Sequence, residues 1–219
     1  MGLNLSKGNM YEWIYATWNT IKGKCYHDCS YCSIKRYGKL NPIRFDEKEL
    51  KTDLGSGRTI FVGSSNDMFA DDIPYEWIIK TLDHCKKFDN TYLFQSKNPK
   101  GFDAISIHNI EKFKLCITIE TNRIYPDIMR NAPDPIERAI VFGNIPVEEK
   151  YITIEPIMDF DLNSLVTLVK FCRVKQVNIG ADSKGHKLPE PDPGKIRELI
   201  EALDEFTVVD IKKNLIRLL

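Results

Sequence analysis

Strand-like and helix-like segments alternate along nearly the whole chain, and that alternation limits its fold more than any other feature. Residues 15–21, 59–63, 92–95, 115–119, 151–154 and 176–179 are short apolar runs bounded by Gly, Pro, Asn or Asp. Unbroken apolar runs of this kind suit parallel strands buried on both faces. Helical patterns fall between them. Pro74 opens one that carries Trp77, Ile78, Leu82 and Cys85. Asp134 and Pro135 read as N-cap and first helical residue ahead of Ile136 and Ile140. Leu165, Leu168, Val169 and Cys172 recur at helical spacing, and Asp192-Pro193 caps a segment with Ile196, Leu199, Ile200 and Leu203. The tail, residues 207–219, has room for one more strand and a short helix.

Such alternation predicts an α/β fold with a parallel sheet. A closed eight-unit barrel takes about 250 residues, or roughly 31 per unit. A chain of 219 residues holds about six or seven such units. The expected fold is a partial, open (β/α)6 TIM-like barrel, as a single domain over residues 1–219 with no internal repeat or linker.

The first strand runs into Cys25-Tyr-His-Asp-Cys29-Ser-Tyr31-Cys32, with the spacing CxxxCxxC. Three thiolates can hold three irons of a 4Fe–4S cube and leave the fourth open, whereas a cluster that only carries electrons usually takes four cysteines. An open iron invites a further ligand, so this spacing points to chemistry. Two other readings use the same residues. A zinc site would take the thiolates plus His27 or a distant ligand, or the three thiols are unrelated. Cys85, Cys116 and Cys172 are isolated in apolar contexts and read as buried core thiols. They suggest neither an auxiliary cluster nor a secreted disulfide framework.

In a parallel barrel the chemistry sits at the carboxyl ends of the strands. After the second strand comes Gly63-Ser64-Ser65-Asn66-Asp67, a small-residue turn with exposed amides, hydroxyls, an amide side chain and a carboxylate. After the third, Lys97 offers a cation for a carboxylate or phosphate. After the fourth, Glu120 and Arg123 place a carboxylate and a guanidinium close together. Glu155-Pro156 ends the fifth, with the acid expected in the barrel mouth. The sixth ends in Gly180-Ala181-Asp182-Ser183, where small residues would let an adenine or a substrate approach the backbone. Polar groups after every strand, beside the cysteine loop, are what a polar cofactor in a barrel mouth requires.

The cysteine spacing, with Tyr31 just before the last thiol, resembles the radical S-adenosylmethionine (radical SAM) superfamily. The ordered set Thr17-Trp18-Asn19, the three cysteines, the segment from Gly63 to Phe69, Asp72-Ile73-Pro74, Trp77-Ile78, Glu120, Ile154-Glu155-Pro156 and Gly180 to Ser183 narrows this. It is similar to a phage- and bacteria-associated radical-SAM family of undefined function and, more distantly, to spore photoproduct lyase. The likeness runs from about Tyr11 to Gly180. The family's third strand usually ends in a Thr-Lys-Arg-Pro-like stretch where this chain has Ser96-Lys97-Asn98-Pro99, and its sixth in Gly-Gly-Glu-Ser where this chain has Gly180-Ala181-Asp182-Ser183.

This resemblance implies a radical SAM core whose metal ligands are Cys25, Cys29 and Cys32 and whose cofactors are a 4Fe–4S cluster and S-adenosyl-L-methionine. Reductive cleavage of SAM would yield a 5′-deoxyadenosyl radical that abstracts hydrogen from the substrate. Tyr31 would lie against the adenine side. Gly63, Ser64, Ser65, Asn66 and Asp67 would take the methionine end. Glu120, Glu155 and Gly180 would face ribose, adenine or substrate, and Asp67, Lys97 and Glu155 are the catalytic candidates. The implied partners are an external one-electron reductant of the flavodoxin or ferredoxin type and a small-molecule or nucleotide substrate, with nucleic acid as an extension of the latter. The competing functions are a zinc- or cluster-stabilised binding module without catalysis, a glycyl-radical-type activating enzyme, and an ordinary barrel enzyme using Glu120 and Glu155 as an acid pair.

Charge enters here. Lys+Arg and Asp+Glu are 31 each, so the chain is neutral overall and gives no bulk case for tight nucleic-acid binding. Lys35-Arg36 and Lys97 with Lys100 are the candidate local basic rim. No apolar run is long enough to span a bilayer and no secretory segment opens the chain, so a reduced, cytoplasmic protein without a membrane partner is expected. The start Met1-Gly2-Leu-Asn-Leu-Ser6 fits the myristoylation pattern, which is short enough to arise by chance.

Overall fold

The computed structural model describes residues 2–219, so that Met1, the first residue of the myristoylation pattern, lies outside it. Ten strands form: β1 (Asn4–Leu5), β2 (Ala16–Trp18), β3 (Ile21–Lys22), β4 (Arg44–Phe45), β5 (Thr59–Val62), β6 (Thr91–Ser96), β7 (Phe113–Thr118), β8 (Lys150–Ile154), β9 (Gln176–Ile179) and β10 (Val208–Ile211). Eight join one sheet in the order β1-β2-β5-β6-β7-β8-β9-β10. β1 is antiparallel to β2, and from β2 to β10 every pairing is parallel. Strands adjacent in sequence are adjacent in space, so the sheet winds in one direction. Its two ends, β1 and β10, do not pair, and the barrel stays open. The predicted partial barrel is therefore present, with one parallel strand more than the six visible in sequence.

Helices α1 (Tyr75–Cys85), α2 (Asp103–Ile107), α3 (Pro126–Met129), α4 (Pro135–Gly143), α5 (Leu162–Cys172) and α6 (Pro193–Asp204) occupy the crossovers. Asp134 and Asp192 cap α4 and α6, accepting from the amides of Ile136 and Gly194 at 2.7 Å each. One correction concerns α4. Ile136 and Ile140, expected on its inner face, are exposed, and that face is carried by Arg138, Ala139 and Phe142.

Because side chains alternate along a strand, the sheet buries two separate cores. Ile60, Val62, Tyr92, Phe94, Leu115, Ile117, Ile152, Ile154, Val177 and Ile179 point out to the helices, where Leu82, Phe142, Leu165, Val169, Ile196 and Leu199 meet them. Phe61, Leu93, Cys116 and Tyr151 point into the lumen and are joined by Tyr11, Ile14 and Trp13 from the segment before β2. Trp13 stacks on Tyr11 at 5.3 Å and tilts against Tyr151 at 5.5 Å. One step nearer the carboxyl ends the lumen turns polar, since Gln95, Thr118 and Thr153 follow Leu93, Cys116 and Tyr151 at the next inward position. Apolar packing thus fills the amino end of the lumen and leaves the carboxyl end for polar chemistry. Cys85, Cys116 and Cys172 are all buried in these cores.

Candidate active site

The cysteine segment is a long excursion between β3 and β4, which pair with each other and close its base. Gly23 makes that closure possible. Its φ is +107°, and a Cβ there would collide with the Pro42 carbonyl. The excursion is then pinned to the barrel. His27 Nε2 meets Asp67 Oδ2 at 2.8 Å, the Ser30 amide donates to the Ile128 carbonyl at 2.9 Å, and the Asn131 side chain donates to the Tyr26 carbonyl at 2.9 Å.

Cys25, Cys29 and Cys32 all line a cavity of about 700 Å³ at the carboxyl ends of the strands. Gly63, Ser64, Ser65, Asn66, Asp67, Tyr31, Lys97 and Glu155 line it too, as do Gln95, Thr118, Ala181 and Asp182. Of the residues expected at the site, Glu120 and Gly180 are the ones that do not.

Each polar group has a partner that sequence does not reveal. Asp67 accepts from His27, from the Ser96 hydroxyl at 2.7 Å, and from the amides of Lys97 and Phe69 at 2.7 and 3.1 Å. Burial alone would raise its pKa, but the His27 contact and these donors pull it below the ordinary carboxylate range. Asp67 is thus a clamp between the cysteine loop and β6 and is not a free acceptor for an ammonium group. His27, the conceivable fourth zinc ligand, is committed to that clamp through Nε2, and its Nδ1 is buried without a partner. Asn19 braces the turn after β5, accepting from the Ser65 amide at 2.8 Å and meeting Ser64 Oγ at 3.2 Å, while Gly63 takes a φ of +83°.

Glu120 lies behind the cysteine loop, fully buried. Arg138 Nη1 holds its Oε2 at 2.7 Å and Lys97 Nζ its Oε1 at 2.8 Å, with the Tyr31 hydroxyl donating to the same Oε1. Arg138, also fully buried, donates through Nε to the Pro133 carbonyl and through Nη1 to the Thr118 carbonyl as well. Lys97 lies over the Tyr31 ring at 4.5 Å and reaches Cys29 Sγ at 3.3 Å. Arg123, expected beside Glu120, turns away to Asp159 and Asp161. Lys100 pairs with Glu137 on the surface, and Lys35 with Asp28 at 2.8 Å, so neither forms a free basic rim.

Glu155 points into the mouth and is held from both edges of the open sheet. Asn9, just past β1, donates to Oε1 at 2.6 Å, while Lys212 and Asn214, just past β10, reach Oε2 at 2.6 Å and Oε1 at 2.7 Å. This explains Gly180. A Cβ there would stand 2.7 Å from Glu155 Cδ and 2.9 Å from Asn214 Oδ1. The missing side chain makes room for this clasp and not for an adenine. With Glu120 outside the cavity and both acids held by cations, no hydrolase-like acid pair forms.

The donor set fits an iron–sulfur cube in kind. Three thiols face one cavity, and the other three cysteines are buried in the cores. Among the described residues, no three His, Cys, Asp or Glu side chains converge as a cage for a single ion. A cube takes one thiolate per iron and so accepts ligands that stand apart, whereas tetrahedral zinc needs them at one point. Burial and the nearby Asp67 charge push the Cys25 thiol up to about 12, so metal must displace its proton on binding.

No family model matches the sequence, and no curated protein matches it. Solved structures do. Spore photoproduct lyase complexed with dinucleoside spore photoproduct superimposes with a TM-score of 0.59 at 10% identity, over 92% of this chain and 64% of that one. This chain shares the spore photoproduct lyase fold. A double mutant of the lyase with bound AdoMet and dinucleoside spore photoproduct gives 0.58 at 10% identity, over 94% and 66% of the two chains. A tyrosine-to-phenylalanine mutant of the lyase gives 0.63 at 10% identity, over 96% and 80%. The chain therefore spans about two thirds of the length of the first lyase structures it matches. No helix among the described residues is long and apolar enough to cross a membrane.

Proposed function

We propose that this chain is a radical SAM enzyme in which Cys25, Cys29 and Cys32 hold a 4Fe–4S cluster. The observation that carries the reading is that all three thiols face one large cavity at the carboxyl ends of a parallel barrel, in a fold shared with a lyase crystallised with AdoMet. Reduced by one electron, such a cluster would supply the means to cleave S-adenosylmethionine to a 5′-deoxyadenosyl radical.

The chain's own residues have definite tasks in this reading. The Gly63-Ser64-Ser65 turn, braced by Asn19, presents a hydroxyl and backbone groups to the methionine end. Tyr31 flanks the adenine side. Asp67 holds the cysteine loop in place through His27. The apolar packing around Tyr11, Trp13 and Tyr151 keeps water out of the lumen below the reaction. A flavodoxin- or ferredoxin-type donor supplies the electron.

For the substrate we favour a nucleotide or modified base. Lys7, Arg36 and Lys184 line the cavity and have no carboxylate partner among the described residues, which suits a phosphate-bearing ligand. The lyase it resembles in fold was solved with a dinucleoside photoproduct. The ordered motifs from Thr17 to Ser183 support placing the chain with the phage- and bacteria-associated radical-SAM proteins.

The test is anaerobic reconstitution with iron and sulfide, then dithionite and SAM, with 5′-deoxyadenosine followed by chromatography. The wild type should form it and Cys29→Ala should not. One tightly held zinc and no cluster would overturn the reading in favour of a structural metal site.

A further inference from the structure

Behind the cysteine loop, two buried cations face one buried carboxylate. Arg138 and Glu120 are both fully buried, and the Lys97 side chain is 14% exposed. Both cations bind the same carboxylate, so one positive charge is left over. Two other acids lie near the loop: Asp67, on the Cys25 side, is occupied by His27, Ser96 and two backbone amides, and Asp28, in the loop itself, pairs with Lys35 and Arg130. The excess charge sits at Cys29, with Lys97 Nζ 3.3 Å from the sulfur. A buried cation is expensive unless something nearby is anionic. Glu120 alone does not balance this set, and among the described residues Arg138 Nη2 is buried without a hydrogen-bond partner.

Resting on the reading above, we propose that Lys97, Glu120 and Arg138 form a redox-tuning set, in which the Lys97 ammonium donates to the Cys29 thiolate and makes the cluster it holds easier to reduce. The electrostatics give the direction. Adding an electron to a cluster makes it more negative, and a fixed positive charge and an N–H···S hydrogen bond both favour the more negative state. Burial screens that charge less than water would. Lys97 and Arg138 therefore act through Cys29 as positioning and tuning residues and need not touch SAM. The Tyr31 hydroxyl donates to Glu120 and accepts from Lys97, so it ties the two side chains together beside Cys29.

EPR-monitored redox titration of reconstituted wild type, Lys97→Met, Lys97→Arg and Glu120→Gln tests this, with iron and sulfide measured for each. Lys97→Met should shift the midpoint to more negative potential, and Lys97→Arg should restore it toward wild type. Glu120→Gln, which adds one net positive charge to the set, should shift it the other way. Opposite shifts from two neighbouring substitutions are not produced by general loosening of the site. Equal midpoints in all four loaded proteins, or shifts of one sign, would overturn the tuning role. If Lys97→Met cannot hold a cluster, Glu120→Gln decides: a positive shift supports the proposal, and no shift or a negative one rejects it. A wild type that binds no cluster would instead reject the radical SAM reading, and the tuning role with it.

Discussion

His27 Nε2 and Asp67 Oδ2 lie 2.8 Å apart, joining the cysteine loop to the turn after β5 across 40 residues of sequence. The loop is also tied by its paired base, by Tyr31 to Glu120, and by Ser30 and Tyr26 to Ile128 and Asn131, and this buried pair is a link between it and the turn after β5. His27→Ala should cost about 1–3 kcal/mol, the penalty of leaving a buried charged acceptor short of a partner. Its clearest sign should be faster proteolytic cutting within residues 24–41 of the apoprotein. A cleavage rate equal to wild type would show that the pair does not order the loop.

Arg138→Met should be the most destabilising single change in the site. It strips the fully buried Glu120 of one of its two charged partners, and breaking a buried ion pair typically costs about 3–5 kcal/mol. Urea denaturation of the apoprotein measures it.

Gly180→Ala should break the clasp around Glu155. The added methyl carbon would overlap the carboxyl group, and overpacking of this kind costs about 1–3 kcal/mol. Unfolding midpoints of Gly180→Ala should fall, whereas Gly2→Ala, at a glycine with open space around it, should leave them unchanged.

Glu120 sets an acid limit. Burial alone would raise its pKa, but Arg138 and Lys97 overcome burial and hold it well below the ordinary carboxylate range. A carboxyl lowered in the native state adds stability that is fully present above its unfolded value of 4.5. That stability drains away as pH falls through and below this value toward the native one. Denaturation midpoints of the wild type should therefore drop more steeply between about pH 5 and pH 3 than those of Glu120→Gln, and the gap between them should narrow. Parallel curves would mean that Glu120 is not ionised in the folded protein.

Iron binding should separate the six cysteines into two sets. Cys25→Ala, Cys29→Ala and Cys32→Ala should each lose the cluster. Cys85→Ala, Cys116→Ala and Cys172→Ala should keep a full iron load while losing stability, since they remove buried sulfur from packed cores.

The barrel was legible because its inner strands are buried on both faces and so stand out as unbroken apolar runs. β10 was ambiguous for the opposite reason: it is an edge strand with Val208 and Ile211 exposed. Capping aspartates marked α4 and α6 correctly, but hydrophobic periodicity misjudged α4, whose inner face carries Arg138. An arginine on a helix reads as solvent-facing unless its buried partner is known, and Glu120 is 18 residues away. Position after a strand identified most of the cavity lining. It did not identify what each side chain binds, because those partners are set by how the loops close over the mouth. Asn9, Lys212 and Asn214, polar residues from opposite ends of the chain, meet only once the sheet has curled.

That meeting has a mechanical consequence. β1 and β10 share no ladder, and the hoop is fastened at its rim by side chains: Glu155 reaches Asn9 on one side and Lys212 with Asn214 on the other, and Lys212 lies over the Tyr11 ring at 4.6 Å. A hoop held by a buckle can change girth without tearing any seam of backbone hydrogen bonds. The width of the mouth then rests on the side chains of this clasp, Glu155, Asn9, Lys212 and Asn214 among them, while the rest of the wall is held by its backbone register.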